Sequence, residues 1–202
     1  MSIDAAMVKK LRDACGAGMM DCKKALTEAN GDFDEAIKLL RTKGMANADK
    51  KASRVANEGM VDAYIHPGAK IGVLVEVNCE TDFVALNPEF KAFAHDVAMH
   101  IAAASPTYAT REDIPEEIIA GELEIYSEQA KQSGKPDNIV QQIAEGKLAK
   151  WYSEVVLLEQ FFVKDPDKTI DTLRRELVGK VGENIEIRRF ARFRVGDEIG
   201  QF

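Results

Sequence analysis

The sequence predicts an α+β fold: a three-helix head, a small antiparallel sheet with packed helices, and an antiparallel helical hairpin. Three observations predict it. Apolar side chains recur every three or four positions over residues 3–40, alternate with a period of two over 60–77, and return to the helical period over 116–152. With 202 residues, of which 46% are hydrophobic and 30% charged, the chain can bury a core and stay soluble.

The head contains the first three predicted helices. Ser2 is placed to cap the first helix, which ends where Gly16-Ala17-Gly18 interrupts the apolar pattern. Asp32 begins the third helix in a sequence that resembles a capping box, and Gly44 is expected to end it. We therefore assign residues 1–44 to the head.

A connector rich in Ala and Lys, residues 45–58, leads to the predicted sheet. Residues 60–65 and 71–77 alternate as two strands, and the Pro-Gly pair between them, in His66-Pro67-Gly68-Ala69-Lys70, indicates a hairpin turn. A helix over 88–104 follows, with one apolar face made of Phe90, Phe93, Val97 and Ile101. This hairpin and helix form a core region over residues 59–110.

The helical hairpin is predicted from two consecutive helical patterns within residues 111–163. The first covers residues 116–131 and the second runs from Asp137 to about Tyr152. The segment Ser133-Gly134-Lys135-Pro136 separates them and lets them fold back on each other.

Residues 164–202 are expected to complete the core with a helix and a strand. The helix covers 169–180, and the strand covers 185–195. Arg189 interrupts the alternation of the strand, which indicates a bulge or an edge position. The side chains expected on one side of it are Ile185, Ile187, Ala191, Phe193 and Val195.

The charge balance argues against a general nucleic-acid binder. The chain carries 27 basic and 34 acidic side chains, a formal charge of -7. Residues 1–54 nevertheless hold 11 basic and 8 acidic side chains, so the first quarter of the chain is a basic module on an acidic protein. Such a module suits an acidic protein face or a nucleic acid, and the charge alone does not choose between them.

The sequence predicts a cytoplasmic protein. It has no run of 18 apolar residues and no basic start followed by an apolar centre, so neither a membrane span nor a signal peptide is predicted. The odd cysteine count, Cys15, Cys22 and Cys79, fits reduced thiols used as small apolar core residues.

Patterns for catalysis are weak, so no catalytic residue, metal or cofactor is expected. The sequence lacks a Cys-x-x-Cys pair and a phosphate-binding loop. His95 and His100 are five residues apart, about 140° around a helix, which suits a shared metal poorly. A metal-dependent enzyme built on these two residues and His66 is the competing class, and a passive adaptor or holdase is a third.

Two segments are unusual. Met19 and Met20 open a helix about 100° apart, so at least one of them should be exposed. An exposed methionine suits a partner's groove, while one core and one incidental surface methionine is the alternative. Beside them, Lys23 and Lys24 are either solvated or contact the partner.

The second segment places Phe83 in a polar turn after a strand. Composition alone favours a ring packed back into its own domain, with Thr81 or Asp82 capping a following turn. The alternative is an aromatic wedge beside a carboxylate, a pair suited to opening an interface and disturbing a nearby cation.

At these two segments the sequence resembles a known family. Leu11-Arg12, with Cys15 to Leu26, is similar to the amino-terminal signature of elongation factor Ts, although Cys15 stands where the family more often has threonine. Residues Glu76 to Ala85 resemble its second signature, centred on Thr-Asp-Phe-Val. The likeness continues at residues 129–136 and 182–190, so it spans almost the whole chain.

The resemblance implies a translation elongation factor of protein biosynthesis, acting without enzymatic chemistry as the guanine nucleotide exchange factor of elongation factor Tu. It also implies that the head is a ubiquitin-associated-like domain. Arg12, Met19, Met20 and Lys23 match the positions that dock the head on the GTPase domain of that partner.

For the second signature, the resemblance implies that Asp82 and Phe83 insert between helices of the GTPase domain and disturb its magnesium site. Thr81 and Val84 flank this pair in the same motif and are assigned with it to the partner-binding residues. His66 matches a hairpin tip that the family places near the phosphate-binding loop.

The resemblance also carries an expectation about assembly. Longer members of the family contain two core repeats, and this chain has one. Short members imply a homodimer, in which two chains supply what one long chain supplies, and a two-to-two complex with the partner.

Overall fold

A computed structural model describes residues 3–132, 134 and 136–198 of the chain. Its elements mix helix and strand, so the predicted α+β class is confirmed. The strands β1, β2 and β5 form an antiparallel sheet in that order, and β3 pairs antiparallel with β4. The elements are α1 (Ala5–Cys15), α2 (Met19–Glu28), α3 (Phe33–Lys51), β1 (Glu58–Ile65), β2 (Ile71–Cys79), α4 (Asp82–Ala85), α5 (Pro88–Ala104), α6 (Glu116–Lys131), α7 (Asp137–Val155), β3 (Phe161–Phe162), β4 (Asp165–Thr169), α8 (Ile170–Val181) and β5 (Glu186–Arg194).

The chain folds into two compact units, each built from three separate stretches of the sequence. The first unit contains the described residues up to Val61, together with Glu76–Ala94 and Thr172–Ile187. The second contains Asp62–Val75, His95–Asp171 and the described residues from Arg188 onward. The head and the turn after β2 thus belong to the first unit, and the helical hairpin belongs to the second.

The head is held by local caps and a small apolar core. The Asp4 carboxylate accepts a hydrogen bond from the Met7 amide at 2.7 Å, so Asp4 caps α1, while the predicted cap Ser2 lies outside the described residues. The helix α1 ends at Gly16, as predicted, and Gly16 adopts the left-handed conformation. Asp32 caps α3. The core residues include Val8, Leu11, Cys22, Ala25, Leu26, Ala36 and Leu40.

The prediction that Gly44 ends the third helix is wrong, because α3 continues to Lys51. Gly44 instead lies where α3 meets α8: a Cβ built on Gly179 would lie 3.4 Å from the Gly44 Cα. An ion pair between Arg41 and Glu176 joins the same two helices. Contact with α8 therefore offsets the modest cost of a glycine inside a helix.

The two predicted strands are confirmed, each two residues longer than predicted, and the helix after them has its predicted bounds. Val73, Val75 and Val77 of β2 are buried, and the predicted apolar face of α5 is buried along its whole length. Within β5, however, the expected apolar side is buried only at its beginning: Phe193 is 51% exposed. Val195, expected on the same side, lies beyond the end of the strand and is also exposed.

The helical hairpin is confirmed, with α7 three residues longer than predicted. Gly134 adopts φ +69° between the two helices, whereas Ser133 and Lys135 lie outside the described residues. At its base, the Arg111 guanidinium binds the Glu159 carboxylate through two nitrogens and lies 4.1 Å from the Tyr152 ring centre. The β3–β4 pair that follows was not predicted.

His100 is a fully buried neutral histidine in the second unit. Its Nδ1 accepts from the Val163 amide at 3.4 Å, so Nε2 donates to the Gln160 side-chain oxygen at 3.0 Å. Gln160 in turn donates to the Glu154 carbonyl oxygen at 2.7 Å. Burial lowers the pKa of His100, because the imidazolium would lose water.

We expect this histidine to destabilise the fold in mild acid. The unfolded chain protonates His100 near pH 6.5, whereas the folded chain protonates it only at a lower pH. The free energy of unfolding therefore carries no penalty from His100 above pH 6.5 and decreases as the pH falls below 6.5. The loss approaches about 1.4 kcal/mol per pH unit. Urea unfolding between pH 7.5 and 5.5 measures it, with His100→Gln as the control that keeps a polar group. An equal slope in both proteins would contradict the assignment.

Candidate partner-binding site

The turn after β2 presents two large apolar side chains to solvent. β2 ends at the buried Cys79, and Thr81 caps the single-turn helix α4, its hydroxyl accepting from the Val84 amide at 3.4 Å. Val84 is buried and anchors the turn, whereas Phe83 is 80% exposed and Leu86 66% exposed. Leu86 is the C-cap of α4 and follows Phe83 by three residues, a spacing that favours one side of a helical turn. The expectation from composition, a ring packed back into its own domain, is wrong.

Asp82 adds a free carboxylate beside the ring. It is the first residue of α4 and is exposed to solvent. Among residues 3–132, 134 and 136–198, its side chain has no hydrogen-bond or ion-pair partner. The turn therefore offers an apolar wedge and an unengaged negative charge side by side, which is the arrangement that the wedge hypothesis requires.

Leu86 is exposed beside Phe83 and was not among the residues predicted for the site. Its signal was its spacing of three residues from Phe83. A spacing of three residues indicates a shared side only in a helix. The sequence did not predict that this turn is helical, so the spacing could be interpreted only from the structure.

The head presents a second exposed surface on α1 and α2. Met19 is 44% exposed and Met20 65% exposed, so the expectation that at least one is exposed is confirmed. Arg12 and Lys23 are exposed as well. The exposed thioethers of α2 and the exposed cations of α1 and α2 are side chains suited to a protein partner with an acidic rim.

The fold brings the head residues and the Asp82–Phe83 turn into the same compact unit, the first. His66 belongs to the second unit, where it is exposed at the tip of the β1–β2 hairpin. Its Nδ1 lies 3.2 Å from the Tyr64 hydroxyl. Gly68 and Ala69 both have positive φ, which closes this turn.

The three histidines are engaged separately. His95 is paired with Asp62 at 3.0 Å, and His100 is buried against Gln160. Within the part of the chain that the structure describes, no group of three or more His, Cys, Asp and Glu side chains is arranged to hold a metal ion.

The cysteines are buried or half-buried in apolar surroundings. The sulfurs of Cys15 and Cys22 lie 3.9 Å apart in the head, and Cys79 lies at the end of β2. Burial raises the pKa of Cys22 and of Cys79 to about 11. Both are therefore protonated thiols at neutral pH and poor nucleophiles.

Comparison with known proteins gives the family of the chain. The family model described as Elongation factor TS matches residues 4–176. The chain belongs to the elongation factor Ts family. Among its relatives, elongation factor Ts of Geobacter sulfurreducens is 58% identical over 199 residues, which cover 98% of this chain and 92% of that protein.

Two further members of the elongation factor Ts family show the same relation. The protein of Geotalea daltonii is 60% identical and that of Carboxydothermus hydrogenoformans 58% identical, each over 199 residues that cover 98% of this chain and 92% of the relative. In the described part of the chain, no helix is both long enough and apolar enough to span a membrane.

Proposed function

We propose that this chain is a non-enzymatic guanine nucleotide exchange factor that promotes GDP release from elongation factor Tu. The observation that carries the proposal is the 80% exposure of Phe83 beside the unengaged Asp82 carboxylate. An aromatic ring left in water on a folded turn is costly unless a partner covers it. Membership of the elongation factor Ts family supports the choice of partner.

Exchange of this kind needs no change in a covalent bond of the factor. A factor that binds the nucleotide-free GTPase more tightly than the loaded one weakens nucleotide binding by the same ratio, about 1.4 kcal/mol for each tenfold. Phe83 enters between helices of the GTPase domain. Asp82 perturbs the surroundings of the bound magnesium ion, so that the phosphate charges are less compensated and GDP leaves faster.

The remaining assigned residues have two kinds of role. Arg12, Met19, Met20 and Lys23 dock the head on the GTPase domain, supported by their exposure. His66 contacts the phosphate-binding loop from the hairpin tip. Thr81 and Val84 support the turn, because the hydroxyl of Thr81 caps α4 and Val84 is buried.

We also propose that the chain acts as a cytoplasmic homodimer. In the second unit, Ile65 and Leu74 are exposed on strands of the sheet. A Cβ at Gly72 would lie 3.0 Å from the Ile65 side chain, which places these β1 and β2 residues on one face. A second copy covering this apolar surface supports a closed twofold assembly. Free, reduced cysteines suit the cytoplasm.

The test is the release of a fluorescent GDP from elongation factor Tu, followed by stopped flow. We expect the rate to rise with the concentration of this protein and to saturate, while the factor is unchanged after many turnovers. Binding without acceleration would show a passive adaptor and overturn the proposal.

A further inference from the structure

Glu183 binds the backbone of the Phe83 turn from a distant part of the chain. It follows α8, which ends at Gly182 with φ +82°. One carboxylate oxygen of Glu183 accepts from the backbone amides of Glu80 and Thr81, at 3.1 and 3.0 Å. The other accepts from the Thr81 hydroxyl at 2.7 Å. Two successive amides and a hydroxyl thus surround one carboxylate, a strong charge-assisted arrangement.

The segment around Glu80 also binds the backbone of the segment around Glu183. The Glu80 carboxylate accepts from the Asn184 amide at 2.7 Å and lies 3.4 Å from the Arg54 guanidinium. The Asn184 side chain donates to the carbonyl oxygens of Ala52 and Arg54. The segment before α4 and the segment after α8 therefore each bind the other's backbone through a glutamate.

The turn needs such an external restraint. A helix of four residues such as α4 has too few internal hydrogen bonds to be stable alone. Without a restraint, the turn would lower its free energy by burying the Phe83 ring away from water. Thr81 connects the two requirements, because its hydroxyl accepts from Val84 in α4 while donating to Glu183.

We propose that Glu183 is a positioning residue for nucleotide exchange, holding the turn so that Phe83 stays presented to the GTPase. The inference rests on the proposed function. Removing the carboxylate leaves two amides and a hydroxyl without their acceptor, so the turn samples conformations with the ring displaced. If about one molecule in ten keeps the conformation that exposes Phe83 to the GTPase, GDP release slows about tenfold when the concentration of the factor limits the rate.

The experiment is a double-mutant cycle of Glu183→Ala and Phe83→Ala, measured by GDP release from elongation factor Tu. We expect Glu183→Ala to slow release about tenfold in the natural background and to have a much smaller effect when Phe83 is already alanine, because only the position of Asp82 then remains to be lost. Glu159→Ala is the matched control. It removes another hydrogen-bonded glutamate, the partner of Arg111, and should leave release unchanged.

Hydrogen exchange of the Glu80 and Thr81 amides gives a second readout. We expect faster exchange at these amides in Glu183→Ala than in the natural protein. Glu183→Gln keeps the side-chain length and one acceptor oxygen, so an intermediate loss of rate and of protection is expected from it. It also tests the same point with a smaller disturbance of the fold.

The outcomes separate the two proposals. If Phe83→Ala leaves release unchanged, the wedge and the proposed mechanism fail. If Phe83→Ala slows release but both Glu183 variants match Glu159→Ala, the positioning role alone is overturned. An equal loss from Glu183→Ala in both backgrounds also overturns it, because Glu183 would then act independently of the ring.

Discussion

Phe83→Ala is expected to slow GDP release from elongation factor Tu by about 10- to 150-fold. The estimate follows from the roughly 1.5–3 kcal/mol that a phenylalanine side chain contributes when it moves from water into an apolar site. Because the ring is 80% exposed in the free protein, its removal deletes little buried surface. The free energy of unfolding should therefore change by less than about 0.5 kcal/mol. Stopped-flow release and urea unfolding measure the two quantities.

The control for this change is Phe161→Ala. Phe161 is also an exposed phenylalanine, 61% exposed on β3, and lies in the second unit rather than the first. It tests whether loss of any surface ring slows exchange. Comparable slowing by both variants, or normal release by Phe83→Ala, would remove the wedge from the mechanism.

Gly59→Ala is expected to lower the free energy of unfolding by about 2–6 kcal/mol, the sum of overpacking and backbone strain. Gly59 has φ +146°, and a Cβ there would lie 2.2 Å from the Val77 carbonyl oxygen and 2.7 Å from the Asn78 Cα. Both contacts are with backbone, which cannot rotate away. The melting temperature should fall by roughly 10 °C.

The matched control is Gly121→Ala in α6. A Cβ there meets no atom within 4 Å, and alanine is the better helix former, so stability should rise by about 0.5–1 kcal/mol. If Gly59→Ala melts at the temperature of the natural protein, β1 and β2 do not approach each other as closely as described.

Elements governed by local rules were predictable from the sequence. The helix over Pro88–Ala104 has its predicted bounds, because its apolar spacing is set within the helix itself. The end of α3 was not predictable, since Gly44 signals a stop locally and only the contact with α8 overrides it. The β3–β4 pair was missed because the polar strand Asp165–Thr169 has no apolar alternation.

The candidate site divides in the same way. Exposure of at least one of Met19 and Met20 followed from helix geometry. Exposure of Phe83 did not follow from composition, which favours burial of phenylalanine, and the family resemblance alone pointed to it. Glu183 could not be linked to the turn, because 102 residues separate it from Thr81 and no periodic pattern spans that distance.

The uninterrupted course of α3 sets the angle between the head and the rest of the first unit. Each helical residue turns the chain by about 100° and advances it by 1.5 Å. Inserting one residue near Gly44 would rotate the methionines of α2 by about 100° around the axis of α3, relative to Phe83. Inserting seven residues would restore the direction of the methionines to within about 20° but would lengthen α3 by about 10 Å. If the α2 methionines and Phe83 contact one GTPase surface, as proposed, both can reach it at only one length of α3.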